Sequence, residues 1–215
     1  MAGTGLMDCT LCRTPAQRFT QVDNREYFRC PCCQLTFEHP DKLPSPEQEK
    51  GQYDLHENQP DDPGYRRFLS QLADPLMALL PDDAQGLDFG CGPGPALATM
   101  LQEQGFDCET FDPLYAPDTS VLDRHYDFVT CTEVIEHLHQ PAREWDWFAA
   151  HVKPGGWLGI MTRWLIDDTA FANWHYRRDP THVCFWQPAT FEWLARQQGW
   201  SLHLTGNPVV LMQKR

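Results

Sequence analysis

The chain reads as an α/β protein, a doubly wound parallel sheet carrying a small metal-stapled module at its N-terminus. Three observations carry that reading. Apolar strand-length runs alternate with helix-length segments from about residue 64 onward, the pattern of a parallel sheet covered on both faces. The run Leu87-Asp88-Phe89-Gly90-Cys91-Gly92-Pro93-Gly94 puts three alternate glycines directly after an apolar stretch, as at a tight strand-to-helix turn where a ligand lies on the backbone. Two Cys-x-x-Cys pairs, Cys9/Cys12 and Cys30/Cys33, stand seventeen residues apart near the start.

The N-terminal pairs come first. Each knuckle gives two thiolates to one tetrahedral ion, so residues 1–40 are expected to form a zinc ribbon with Cys9, Cys12, Cys30 and Cys33 as ligands. Cys32 competes with Cys33, but Cys-x-Cys geometry is less usual and Cys33 is favoured. Between the knuckles, Arg18–Val22 and Glu26–Arg29 alternate like a short hairpin turning at Asp23-Asn24. A module this small has too little core to stand alone, so the metal is expected to hold it. Residues 41–63 are polar and proline-rich and read as a linker, part of which (53–64) is placed to fold over a ligand. Tyr65 to Leu80 has helical apolar spacing, with Pro75 expected to kink or split it.

In the larger domain, 64–215, the expected order is strand Gly86–Gly90, helix Pro95–Gln104 and strand Cys108–Asp112. A weakly signalled third strand near Val121-Leu122 and strand Tyr126–Cys131 follow. Next come helix Ala142–Val152, a turn at Lys153–Gly156, strand Trp157–Thr162 and helix Thr190–Gln198 stopped by Gly199. Trp200–Leu204 and Pro208–Gln213 form a closing hairpin around Gly206-Asn207.

The glycine loop discriminates between ligands. A dinucleotide site wants G-x-G-x-x-G, whereas here the third glycine arrives one residue early and Pro95 takes the usual place. No Walker lysine follows. Asp88 is badly placed beside a pyrophosphate but suits a ligand with a positive end, such as the ammonium of S-adenosylmethionine (SAM). Over roughly residues 64–213 the chain resembles the class I SAM-dependent methyltransferases, whose first motif is apolar-acid-apolar-G-x-G-x-G. That resemblance implies a Rossmann-like methyltransferase sheet with an antiparallel last strand. It also implies a cofactor site built from Asp88, Gly90, Cys91, Gly92, Asp112, Thr132 and Glu133, with Asp112 on the ribose hydroxyls. NAD wants the same acid, so Asp112 alone leaves a dehydrogenase open.

Glu133-Val134-Ile135-Glu136-His137 is the other chemical segment. In a helical turn Glu133, Glu136 and His137 share a face. The segment is similar to the E-x-x-E-H of small-RNA 2′-O-methyltransferases and ubiquinone-pathway O-methyltransferases, where a divalent metal holds the acceptor's hydroxyls. By that likeness Glu133, Glu136, His137 and His182 form a second divalent site, for Mg²⁺ or another ion. In the metal-free reading His137 or His182 is the catalytic base beside Glu133; in a third reading the segment is structural. Residues 163–187, dense in aromatics and His, are expected to line the acceptor pocket, with Arg177 or Arg178 on an anionic group. An aromatic lid against the sheet edge is the competing reading.

The expected function is methyl transfer from SAM, with a small-molecule oxygen as acceptor. The alternative is a SAM-sensing protein that docks RNA or a protein partner through its ribbon. A net charge of −13 disfavours broad nucleic-acid binding, although residues 1–40 balance four Arg against four acids. No apolar run has membrane-spanning length, and MAGTGLMDCT lacks a secretory pattern, so a cytoplasmic location is expected.

Overall fold

Turn chemistry fixes the first sheet. The computed structural model describes residues 7–55, 59–206 and 208–215. Strands β1 (Met7–Asp8), β2 (Pro15–Val22), β3 (Arg25–Arg29) and β4 (Thr36–Glu38) are antiparallel neighbours in that order. Asp23 and Asn24 both have positive φ (51° and 64°), the conformation a two-residue hairpin demands and that Asn and Asp tolerate best. The expected linker holds a helix that sequence reading missed, α1 (Pro46–Tyr53). Ser45 closes a capping box with Gln48, and Pro46 starts the first turn. His56 of the linker and Asn207 of the closing hairpin lie outside the described residues.

Helix α2 (Pro63–Met77) is capped by Asp62 and runs unbroken through Pro75. That proline sits in the last turn, where little helix remains to be disrupted. Then follow β5 (Gln85–Phe89), α3 (Ala96–Glu103) and β6 (Asp107–Phe111). Val121-Leu122, expected as a strand, lies instead in a 3-10 turn, Thr119–Asp123. Asp118 caps that turn at Ser120, and the Tyr126 hydroxyl donates to the Val121 carbonyl at 2.7 Å, so the backbone is committed away from the sheet. Next come β7 (Tyr126–Thr132), α4 (Pro141–His151) and β8 (Val152–Met161), which takes in the expected Lys153–Gly156 turn. A short helix α5 (His175–Arg178), β9 (Cys184–Phe185), α6 (Pro188–Gln198) and the hairpin β10 (Ser201–Gly206) and β11 (Val209–Gln213) complete the chain.

The main sheet has the order β10-β11-β8-β7-β5-β6. β6, β5, β7 and β8 are parallel, while β11 runs antiparallel to both its neighbours. Leu69, Leu72 and Leu76 of α2 and Leu97 and Leu101 of α3 pack on one face with Phe128 and Trp157. Trp145 and Phe148 of α4 and Phe191 and Leu194 of α6 cover the other, against Val129, Ile160 and Val210. Both faces are thus buried, as a parallel sheet requires. Strand β4 pairs with β9, Thr36 opposite Phe185 and Phe37 opposite Cys184. The cysteine-bearing module is therefore joined to the larger domain by a shared sheet, and Phe28, Leu35 and Phe37 lie in the same apolar cluster as Leu87 and Trp186.

Candidate functional site

The carboxyl ends of β5, β6 and β7 open onto a cleft of about 590 Å³, a size suited to a nucleoside-bearing ligand. The glycine loop forms its floor. Gly90 and Gly92 have φ of 77° and 65°, and a Cβ on Gly90 would meet the Val134 side chain at 2.4 Å. Glycine at 90 therefore lets the loop pack directly on the acidic segment. The Gly90 amide donates to the Phe111 carbonyl at 2.7 Å, tying the loop to the end of β6. Asp112 lines the cleft there: its carboxylate accepts from the Gly92 amide (3.1 Å) and from the amides of Leu114 (2.8 Å) and Tyr115 (3.1 Å). Cys91, Thr132 and Glu133 also line the cleft.

Asp88 is placed differently from expectation. It is buried, accepts from Thr130 Oγ1 at 2.7 Å, and is not among the residues lining the cleft. Burial pushes its carboxyl up to about 6. Its charge is felt at the cleft wall, since it helps raise the Cys91 thiol and the Tyr65 hydroxyl.

The expected helical turn over 133–137 is only partly formed. Glu133 has φ +52°, a conformation uncommon outside glycine, and the 3-10 turn covers Ile135–His137. The Glu133 carboxylate lies 3.4 Å from the Tyr176 hydroxyl, which also binds Glu136. One ligand atom each from Glu136, His137 and His182 falls within 4.8 Å of the rest, a grouping that omits Glu133. His137 Nδ1 lies 3.0 Å from the Thr181 carbonyl, and His182 Nδ1 lies 2.7 Å from the Tyr176 carbonyl. A carbonyl only accepts, so both rings are assigned Nδ1–H, which turns Nε2 away from these carbonyls; His182 Nε2 lies 3.9 Å from Asp179 Oδ2. The rings meet edge to face with centroids 4.7 Å apart. Glu136 is fully buried and accepts from Thr162 Oγ1 at 3.1 Å and from the Tyr176 hydroxyl at 2.5 Å. Burial, reinforced by the charge of Glu133, pushes its carboxyl well above the ordinary range. Burial likewise raises Glu133 to about 7, against the pull of Arg163.

The aromatic segment 163–187 resolves toward the lid reading. Phe171, Tyr176 and Phe185 cluster with Tyr27 of the N-terminal sheet, and from this segment Asp179 and His182 reach the cleft. Arg177 is buried against Asp23 (2.9 Å), the Ala172 carbonyl (3.1 Å) and the Tyr27 hydroxyl (3.4 Å), so it is a structural cation rather than a holder of substrate anions. The cleft's aromatic walls come from elsewhere: Tyr53, Tyr65, Phe89, Phe111, Tyr115 and Trp147.

The four expected thiols converge. Cys9, Cys12, Cys30 and Cys33 offer sulfurs within 4.8 Å of one another, with Cys32 exposed outside the group. The two knuckles repeat one hydrogen-bond pattern. Arg13 N donates to Cys9 O and Gln34 N to Cys30 O, while Cys9 N donates to Thr14 O and Cys30 N to Leu35 O. Arg13 and Gln34 both take positive φ. Backbone amides of Leu11 and Cys33 point at the sulfurs of Cys9 and Cys30 (3.4 and 3.5 Å). Four soft donors with supporting N–H groups fit a tetrahedral zinc.

Residues 62–205 match a family model described as a methyltransferase domain. The chain belongs to that family. The chain is 29% identical over 145 residues to the ubiquinone biosynthesis O-methyltransferase of Hydrogenovibrio crunogenus, covering 53% of this chain and 60% of that protein. It thus spans less than two thirds of that relative's length. An O-methyltransferase family protein from Burkholderia thailandensis superposes with a TM-score of 0.51 at 18% identity, covering 81% of this chain and 64% of the other. A SAM-dependent methyltransferase from Archaeoglobus fulgidus gives 0.54 at 15% identity, covering 69% and 94%. Such likenesses establish the class I SAM-dependent methyltransferase fold. Among the described residues no helix of the chain is long and apolar enough to cross a membrane.

Two residues lie in segments the sequence singles out, 53–64 and 163–187, but their partners are not legible there. Tyr176 sits among Glu136, Thr162 and Glu133 (3.4 Å), but forty residues separate it from the E-V-I-E-H run. Tyr53 stacks edge-on against His137 at 5.1 Å and ends a helix with no apolar stripe.

Proposed function

We propose that this chain transfers the methyl group of SAM to an oxygen of a small molecule. One observation carries the reading: a single cleft gathers the glycine loop, Asp112, Glu133, His137 and His182. The relatives named ubiquinone biosynthesis O-methyltransferase support an oxygen acceptor of small size. When bound, SAM supplies a methyl that is already electrophilic, so the protein's work is alignment to about 3–3.5 Å along the attack line. Asp112, fixed by three backbone amides, is held to accept the ribose hydroxyls. Gly90, Cys91 and Gly92 admit the ligand close to the backbone, and Thr132 and Glu133 face its amino-acid end, Glu133 with the matching charge. Asp88 contributes from beneath the loop by charge rather than contact.

The acceptor's proton must leave, and Glu136, His137 and His182 are the groups for it. A fully buried carboxyl beside two imidazoles that present Nε2 fits a divalent cation. Mixed nitrogen and oxygen donors suit Mn²⁺, Fe²⁺ or Zn²⁺ better than Mg²⁺, which prefers oxygen alone. Such an ion would lower the pKa of the acceptor hydroxyl. Without one, a histidine Nε2 takes the proton directly. The four N-terminal cysteines hold a separate zinc.

Calorimetry with SAM tests the cofactor, and transfer of labelled methyl to small phenols, with Mn²⁺ or with a chelator, tests the chemistry. His137→Ala and His182→Ala are expected to abolish turnover while SAM affinity changes little. Absence of SAM binding by the wild-type chain overturns the reading. Full turnover in chelator removes the cation and leaves the histidines as bases.

A further inference from the structure

The N-terminal sheet reaches the acceptor side of the cleft through one side chain. Arg25, on β3, lies with its guanidinium against the backbone of the segment that carries His182. Its Nη1 donates to the carbonyls of Arg177 (3.2 Å) and Asp179 (3.3 Å), and its Nη2 donates to the carbonyl of His182 itself (3.0 Å). The same guanidinium is paired with Glu38 of β4, Nε to Oε1 at 2.7 Å, and the Glu38 side chain is completely buried. The Glu38 amide in turn donates to the Val183 carbonyl at 2.9 Å, and the Val183 amide to the Glu136 carbonyl at 2.8 Å. A continuous chain of bonds therefore runs from the metal-binding hairpin to both His182 and Glu136.

Other contacts run in parallel. The Thr10 carbonyl, inside the first knuckle, accepts from the Ala142 amide at the start of α4, and Gln187 donates to the Gln34 carbonyl beside the second. Arg29 makes a two-pronged pair with Asp168 at 2.6 and 2.8 Å. None of these touches the glycine loop. The N-terminal sheet is thus built onto the acceptor side of the cleft and away from the cofactor side.

We propose that Arg25 is a positioning residue for His182: its planar fork gathers three carbonyls of residues 177–182 and fixes the ring at the cleft, and the cysteine-held hairpin exists to carry that fork. The inference rests on the reading of His182 as part of the reacting end, but its test does not need turnover. Lysine can keep the ion pair with Glu38 but has no fork to span three carbonyls, so the informative variant is Arg25→Lys in the zinc-loaded full chain. Arg25→Gln combined with Glu38→Gln is the second, since it removes the fork without stranding a buried charge.

Hydrogen exchange at the amides of His182 and Val183 is expected to quicken by about tenfold or more in both variants, because charge-assisted bonds to that backbone are lost. The His182 imidazole resonances are expected to shift or broaden, while zinc content and SAM affinity stay within about twofold of wild type. Unchanged exchange and unchanged His182 resonances in folded Arg25→Lys overturn the proposal. So does a fall of SAM affinity in step with the exchange, which makes Arg25 a general stabiliser. Should SAM fail to bind the wild-type chain, the methyltransferase chemistry fails while the exchange comparison still decides the role of Arg25.

Discussion

Gly90 shows how much one missing side chain carries. Its φ of 77° and the 2.4 Å gap between a virtual Cβ and Val134 mean that any larger residue must both strain the backbone and push the E-V-I-E-H segment away. Gly90→Ala is expected to cost about 2–4 kcal/mol of stability and to weaken SAM binding at least tenfold, read by thermal unfolding and calorimetry. An unaltered affinity would show that the loop does not set the cofactor floor. Two acids make a second prediction. Burial holds Asp88 at about 6 and Glu133 at about 7, both above the unfolded value near 4. A raised carboxyl favours the protonated native state, so its stabilisation is complete below about pH 4 and is lost as pH climbs through 6 to 7. A cationic ligand prefers the ionised forms. SAM affinity is therefore expected to rise between about pH 5.5 and pH 7.5, by about tenfold, when titrated calorimetrically. A flat profile would remove both carboxylates from the recognition of positive charge.

At the scale of elements, legibility followed the source of each element's stability. The centre of β5, most of β7 and the second half of β8 are buried, mainly apolar runs, and their sequence announces them. Val121-Leu122 has the apolar residues of a strand, but Asp118 and the Tyr126 hydroxyl claim its backbone, which no window of apolar residues reveals. β9 is two residues long and exists because β4 pairs with it. The candidate site divides the same way. The glycine loop, Asp112 and the spacing of Glu136 and His137 are local patterns, whereas Tyr176, Tyr53 and Arg25 arrive by tertiary packing from distant stretches. Helix α1 is the sharpest case. Its sequence, PEQEKGQY, has no apolar face, yet its last residue, Tyr53, lines the cleft. Tyr53 packs on His137, Glu49 faces His139 at 2.9 Å, and Asp54 accepts from the Tyr115 hydroxyl at 2.7 Å. His137 and Tyr115 line the cleft, and no residue of α1 itself is buried. Tyr53→Ala is accordingly expected to leave thermal stability within about 1 kcal/mol of wild type while speeding SAM release several-fold in stopped-flow displacement. Equal release rates would mean that α1 is surface decoration.

On the scale of the whole molecule, the cysteine centre and the methyltransferase sheet are joined too closely to melt apart. Phe28, Leu35 and Phe37 share one apolar cluster with Leu87, Val129 and Trp186, and β4–β9 pairing closes the junction with backbone bonds. A bead on a flexible tether would unfold by itself when its metal is removed, leaving the larger domain's transition in place. Here, opening the hairpin exposes Phe37 and Trp186, withdraws the strand partner of Cys184 and Phe185, and uncovers the Glu38 carboxyl that Arg25 neutralises. The loss therefore falls on the core that both parts share. Structural zinc supplies about 10–16 kcal/mol in small modules, as much as the entire stability of many domains. Even a third of that, lost to a chelator, corresponds to a fall of about 10 °C or more in a chain of this size. Scanning calorimetry is expected to show a single transition both with zinc and after chelation, the second at lower temperature. The same result is expected of Cys9→Ser. Two resolved transitions, with the higher one unmoved by chelator, would mean that the shared sheet is a contact between independent units, and that metal at the N-terminus bears on nothing but its own hairpin.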